Sequence, residues 1–200
     1  SDNENRPLTT TDDSYLTYLA GLYATKSAKW ADSNKGEAQL ILTGQNTTTN
    51  NTVTFYDTLS EHFKFPNEFQ LTITQGATNE TFLNTDTAKM TQYKITISDK
   101  TITWQIDNSN TMATLVISNI ILTDNHFANG KIIDIYRNTS VLTNAETNDR
   151  LTDGANEYSV NSPILLIPEA EIVKVTAVWD PEYMNASGSF FGTAWVTLEV

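Results

Sequence analysis

The chain has 200 residues and a mass of 22.3 kDa, with 24 acidic against 12 basic residues, 2 histidines and no cysteine. A formal charge of -12 without any Lys/Arg cluster leaves nothing to neutralise a run of phosphates, which argues against nucleic acid and against a polybasic contact with anionic lipid. Without cysteine there are no disulfides, no thiolate metal site and no cysteine nucleophile, so packing must hold the fold.

Thr occurs 32 times and Asn 20 times, which favours strands and turns over helices. The length suits one large domain, and the expectation is a mainly antiparallel all-β fold, either a single β-sandwich or a lipocalin-like barrel. Residues 1–13, "SDNENRPLTTTDD", are polar and aperiodic and are read as a flexible tether before a β-rich domain over 14–200.

The next stretch has two readings. Tyr15, Leu19, Leu22 and Tyr23 are at helical spacing behind an Asp/Ser cap, which would give a short helix near residues 12–19, while Leu22, Ala24 and Ala28 fit a strand running to about Trp30. Strand signals are plainer afterwards: "EAQLILTG" (37–44), "TVTFYD" (52–57) and "EFQLTITQG" (68–76) alternate apolar and polar residues. "YKITIS" and "TITWQI" flank Ser98, Asp99 and Lys100 as a hairpin. "MATLVISNIIL" (112–122) is apolar on both faces, the pattern of a central strand that is covered on both sides or bends at Ser118 and Asn119.

"KIIDIYR" (131–137), "SPILLIP" (162–168), "EIVKVTAVW" (171–179) and "FFGTAWVTLEV" (190–200) complete about ten strand candidates, the second pushed to an edge or connector by Pro163 and Pro168. "NTSVLTNAETNDRLTDGANEYSV" is read as a long loop. The alternation that closes the chain would also suit an outer-membrane barrel, but a membrane-crossing strand needs roughly nine to eleven residues, and most candidates are shorter. No stretch approaches the roughly 18 apolar residues of a spanning helix.

Candidate chemistry is sparse. His62, beside Ser60 and Glu61, and His126 have no spacing that suggests a triad or a zinc site, and no G-x-S-x-G elbow, Walker loop or dinucleotide fingerprint occurs. Glu146, Asp149, Asp153 and Glu157 offer oxygen ligands for calcium, yet their order does not match an EF-hand, and turn-forming residues in a solvated loop are the preferred explanation. Glu169 and Glu171 share a strand face, where neighbouring carboxylates repel rather than form an acid/base pair. No catalytic residue, metal or cofactor is therefore expected.

"VWDPEYMNASGSFFG" reads as the loop between the last two strands. Trp179 and Tyr183 supply flat apolar faces, while Asp180 and Glu182 supply directional acceptors, a combination suited to stacking a sugar or anchoring a protein contact. These four residues form the candidate ligand site, and its alternative is a small core that plugs one end of the domain.

The Cys-free, Thr/Asn-rich composition, the polar leader, the "YLAGLYATKSAKW" opening and the series of hairpins resemble the secreted lipoproteins of gut Bacteroidetes. The resemblance implies attachment through an N-terminal lipid in the cell envelope or at the surface, with no transmembrane segment, and a β-rich module that binds glycans or proteins. It also implies modification of Asp-Thr-aliphatic triplets, matched by Asp57-Thr58-Leu59 and Asp86-Thr87-Ala88. The sequons at Asn46, Asn50, Asn79, Asn138 and Asn185 follow from composition. The expectation is a non-catalytic envelope or surface binding module, with a small-ligand carrier or a hydrolase as alternatives.

Overall fold

The computed structural model describes residues 21–128, 131–132, 139–141, 149–161, 163–166, 174–184 and 190–199. The expected tether over 1–13 and helix near 12–19 lie outside the described residues, as do Glu146, Glu169 and Glu171.

Most described strands belong to two antiparallel sheets. The first is ordered β1 (Leu22–Asp32), β2 (Glu37–Asn46), β9 (Ala113–Leu122), β5 (Gln70–Gln75) and β6 (Thr78–Leu83), with β4 (Phe63–Lys64) also pairing with β9. The second is ordered β14 (Glu157–Ser159), β13 (Arg150–Thr152), β3 (Val53–Thr58), β8 (Thr101–Ile106) and β7 (Ile95–Ser98). Three two-stranded pairs join β10 (Phe127–Ala128) to β11 (Lys131–Ile132), β12 (Thr139–Val141) to β15 (Ile164–Leu166), and β16 (Lys174–Met184) to β17 (Phe190–Glu199). Both large sheets are open, so the lipocalin-like barrel gives way to the sandwich.

Alternation explains why the sheets face one another. In β2, Ala38, Leu40 and Leu42 are buried while Gln39, Ile41 and Thr43 are half-buried, and in β3 the same holds for Val53 and Phe55 against Thr54 and Tyr56. Successive side chains point to opposite faces, so each sheet has one inner surface. These surfaces meet in a single core cluster containing Leu22, Leu40, Leu115, Ile117 and Leu71 from the first sheet and Phe55, Ile102, Trp104, Ile106 and Leu151 from the second. At about 25 cal/mol per Å² of buried apolar surface, this cluster is the main force for folding.

β9 sits between β2 and β5, and it bends where Ser118 and Asn119 predicted. Ile117 pairs with Leu40 and Ile120 with Ala38, so two residues of β9 face one of β2, and Asn119 takes a left-handed φ of 64°. Asn tolerates that region better than branched residues do. The extra residue resets the phase: Ala113, Leu115 and Ile117 are buried before it, Ile120 and Leu122 after it. A strand that looks apolar on both faces is thus one inward face that changes phase.

Other local readings change. The predicted loop over 138–160 contains β12, β13 and β14, whose three-residue strands are too short for periodicity to register. A helix, α1 (Thr87–Gln92), appears where none was expected, capped by Asp86, whose side chain accepts from the Lys89 N–H at 3.1 Å. The Asp86 triplet expected to be modified therefore starts a helix, with Thr87 and Ala88 exposed. β16 runs to Met184, so Trp179, Asp180, Glu182 and Tyr183 lie in a strand rather than in the expected loop.

At Gly44 of β2 the second sheet comes close to the backbone of the first. A Cβ there would stand 2.8 Å from Ile106 Cδ1 and 3.2 Å from Leu151 Cδ1, so the opposing sheet fills the space a side chain would need. Gly44→Ala is expected to cost about 1–3 kcal/mol by overpacking. Combined with Ile106→Val, which removes the crowded methyl, it should cost less than the two changes summed, a coupling measurable by urea denaturation of the four proteins in the cycle.

Candidate functional site: a buried ionic triad and an exposed hairpin

Each sheet breaks its apolar alternation at one inward position with a charge. On β1 the inward series is Leu22, Ala24 and Lys26, and on β3 it is Val53, Phe55 and Asp57. The Lys26 side chain is fully buried, Asp57 is 1 % exposed, and the two are hydrogen-bonded across the core, Lys26 Nζ donating to Asp57 Oδ1.

A third group joins them. β13 pairs with β3 with Arg150 opposite Tyr56, so Asp149, one residue earlier, takes the place opposite Asp57. Asp149 is 6 % exposed, its Oδ2 lies 3.9 Å from Lys26 Nζ, and its Oδ1 accepts a 2.9 Å hydrogen bond from the Thr58 backbone N–H. Two carboxylates in opposed register repel, and the ammonium from the facing sheet offsets that repulsion.

One cation cannot balance two anions away from water, and the titration of the cluster reflects this. Burial raises Asp57 to about 6, with the Asp149 charge adding to the rise and Lys26 opposing it. Burial likewise pushes Lys26 below the ordinary lysine value, against the pull of both aspartates. Desolvation therefore drives amine and acid toward their neutral forms. Asp57 Oδ2 is buried without a hydrogen-bond partner among the described residues.

The calcium reading of the acidic segment is not supported by its geometry. Asp149 faces the core, Asp153 Oδ1 accepts from the N–H groups of Ala155 and Asn156 at 2.9 and 2.7 Å in a turn, and Glu157 accepts from Arg150 Nε at 3.0 Å. The described residues contain no group of three His, Cys, Asp or Glu side chains placed to hold a metal.

The two histidines, 64 residues apart in sequence, do meet. His62 Nδ1 and His126 Nε2 are 3.2 Å apart at the end of the short 3-10 turn Asp124–His126, a contact that no sequence spacing indicates. Asn46, at a sequon, is fully buried, and its Oδ1 accepts from the Thr48 and Thr49 N–H groups at 3.1 and 3.2 Å, so its amide closes the end of β2. Asp57 of the other triplet expected to be modified is committed to the core.

A surface hollow of about 630 Å³ lies between α1, the edge strand β7 and its neighbour β8, lined by Asn84, Thr87, Met90, Lys94, Ile95 and Gln105 among others, with no carboxylate among the described residues of its wall.

The sequence-predicted site falls on the β16–β17 hairpin, where Trp179 pairs with Ala194, Asp180 with Thr193 and Tyr183 with Phe191, with a register shift between Pro181 and Tyr183. The described side chains of this hairpin are exposed. Val178 and Trp195 are directly paired across the strands and are 56 % and 64 % exposed, and Val196, on the other side of the alternation, is 62 % exposed. The closing alternation of the sequence marks Trp195 as part of a strand and carries no signal of its exposure.

No protein-family model and no curated protein sequence matches the chain. Among solved structures it is similar to a collagen-binding domain from a Staphylococcus aureus adhesin, at 13 % identity over 73 % of this chain and 95 % of that one, with a TM-score of 0.43. It is also similar to the collagen adhesin of Staphylococcus aureus, at 11 % identity over 90 % and 52 % of the two chains with a TM-score of 0.44. A third is the collagen-binding subdomain of the Enterococcus faecalis surface protein ACE, at 11 % identity over 72 % and 94 %, with a TM-score of 0.40. Likeness at this level carries no statement about what this chain binds.

Lys26→Met leaves two buried aspartates without their cation, and Asp57→Leu leaves the amine without its closest acceptor. Each is expected to cost at least about 3 kcal/mol, the scale for breaking a buried ion pair by removing one partner. Chemical denaturation of the single variants checks this.

Proposed function

We propose that this chain is a non-catalytic binding module of the cell envelope or surface that engages a glycan or protein partner through the face of its C-terminal hairpin. The observation that carries the reading is the exposed Val178–Trp195 pair. A tryptophan held on a paired strand with most of its surface in water is costly to leave bare and well placed for contact, because a rigid aromatic loses little conformational freedom on binding.

Trp179, Asp180, Glu182 and Tyr183 share this hairpin, and the ladder from Lys174 opposite Glu199 to Asp180 opposite Thr193 fixes their backbone positions relative to Trp195. A site on paired strands is held more firmly than one on a loop. The non-catalytic part of the reading is supported by the burial of the Lys26–Asp57 pair, whose two groups are shifted chiefly by desolvation and are sealed in the core, beyond the reach of a substrate. Attachment through an N-terminal lipid is part of the same proposal, and it rests on the lipoprotein resemblance.

Screening the purified chain on glycan and extracellular-protein arrays tests the reading. The expected result is a binder for the wild type, with Trp195→Ala reducing its affinity by roughly tenfold or more. The same substitution should change stability by no more than about 0.5 kcal/mol, as for an exposed side chain. If the arrays show no binder while Trp195→Ala lowers the melting temperature by several degrees, the hairpin face is structural and the proposal fails.

A further inference from the structure

The buried triad holds an amine, a carboxyl group with a polarised oxygen, and a second carboxyl group that touches the amine, all shielded from water. We propose that this constellation is self-modifying: Lys26 Nζ and Asp149 Cγ join in an intramolecular amide, with Asp57 carrying the protons, and the bond ties the first sheet to the second. The inference is independent of the binding reading, because it concerns the core rather than the hairpin.

The geometry gives each residue its role. Lys26 is the nucleophile, since it is the one amine within reach of both acids among the described residues, hydrogen-bonded to Asp57 and 3.9 Å from Asp149. Asp149 is the acceptor of the new bond, because its Oδ1 already takes a 2.9 Å hydrogen bond from the Thr58 N–H, a donor placed to stabilise the oxyanion that forms as the carbonyl is attacked. Asp57 accepts no backbone hydrogen bond among the described residues, and its Oδ1 sits on the amine, the position of a base.

The steps balance without any outside reactant. Asp57 takes one proton from the Lys26 ammonium and passes it to Asp149 Oδ2, leaving a neutral amine whose lone pair attacks the Cγ of a protonated carboxyl group. The N–C bond forms and negative charge collects on Oδ1 beside the Thr58 N–H. Asp57 then takes the second proton from the attached nitrogen and passes it on as the Cγ–Oδ2 bond breaks. One water leaves, the ammonium and carboxylate charges cancel, and Asp57 ends as it began. Amide formation is unfavourable in bulk water, but here the reactants are fixed together and the core excludes the water that would reverse it. Burial also removes the reason for the pair to remain charged.

The test is the intact mass of the full purified chain. The expected value is lower than the sequence mass by one water, and trypsin should release a branched species joining residues 1–29 to residues 138–150, because cleavage after Lys26 is blocked. Asp149→Asn should form the same bond with loss of ammonia instead of water, a readout that a merely structural role would not move. Asp57→Asn, which keeps the side-chain shape, should leave the mass unchanged and lower the melting temperature by roughly 10 °C or more, as for losing a cross-link that closes a long loop. An unmodified wild-type mass would overturn the proposal. A branched peptide containing residues 36–64 in place of 138–150 would overturn the assignment of Asp149, and full cross-linking in Asp57→Asn would overturn the role of Asp57.

Discussion

A lysine from one sheet meets two aspartates from the other in the middle of an otherwise apolar core, and much of the rest of the fold is placed by that meeting. Lys26 must point inward from β1 at the level where Asp57 points inward from β3, with Asp149 beside it. A one-residue slip of any of these strands would turn a charge out to water and a polar residue into the core, leaving buried partners uncompensated. Apolar pairs tolerate small sliding, whereas an ion pair in a medium that cannot solvate it does not. The triad therefore specifies how the two sheets are stacked, while the surrounding Leu, Ile and Phe side chains supply the drive to stack them.

The neighbourhood of the triad is built to the same tolerance. Gly44 brings β2 close to Ile106 and Leu151, and Leu151 follows two residues after Asp149 on the strand that carries it into place. On the other flank the bulge in β9 lets one strand serve β2, β5 and β4 while keeping its apolar residues inward. Trp30, farther along β1, donates from Nε1 to the Leu166 carbonyl at 2.9 Å and so ties the short β12–β15 pair to the first sheet. Each device spends a special residue where plain alternation would fail: a glycine where space is short, an asparagine where φ turns positive, a tryptophan where an edge carbonyl needs a donor.

Core and hairpin divide the labour. The core holds Lys26 and Asp57, the two ionisable groups that desolvation shifts toward neutrality, and shields them from any outside molecule, which suits chemistry the chain performs on itself. The hairpin places large apolar side chains, Val178, Trp195 and Val196, in water on a ladder that holds them still. The contact face can therefore vary without disturbing the residues that hold the two sheets together.

The sequence by itself determined the class of fold and most of the longer strands, because a period of two is a local property that each segment carries on its own. It also marked Ser118 and Asn119 as the place where β9 would bend if it was not covered on both sides, and the structure takes the bend. Lys26 and Asp57 also occupy inward phases of two alternating strands, and a charge in an apolar phase asks for a partner. Which partner it finds was decided by tertiary structure alone, as was the choice of sandwich over barrel. Asp149 looked like a solvated loop acid because its neighbours in sequence are Asn148, Arg150 and a turn; pairing of β13 with β3, about a hundred residues away in the chain, is what turns it inward. Register and sheet stacking depend on contacts between distant segments, and no window of local sequence contains them.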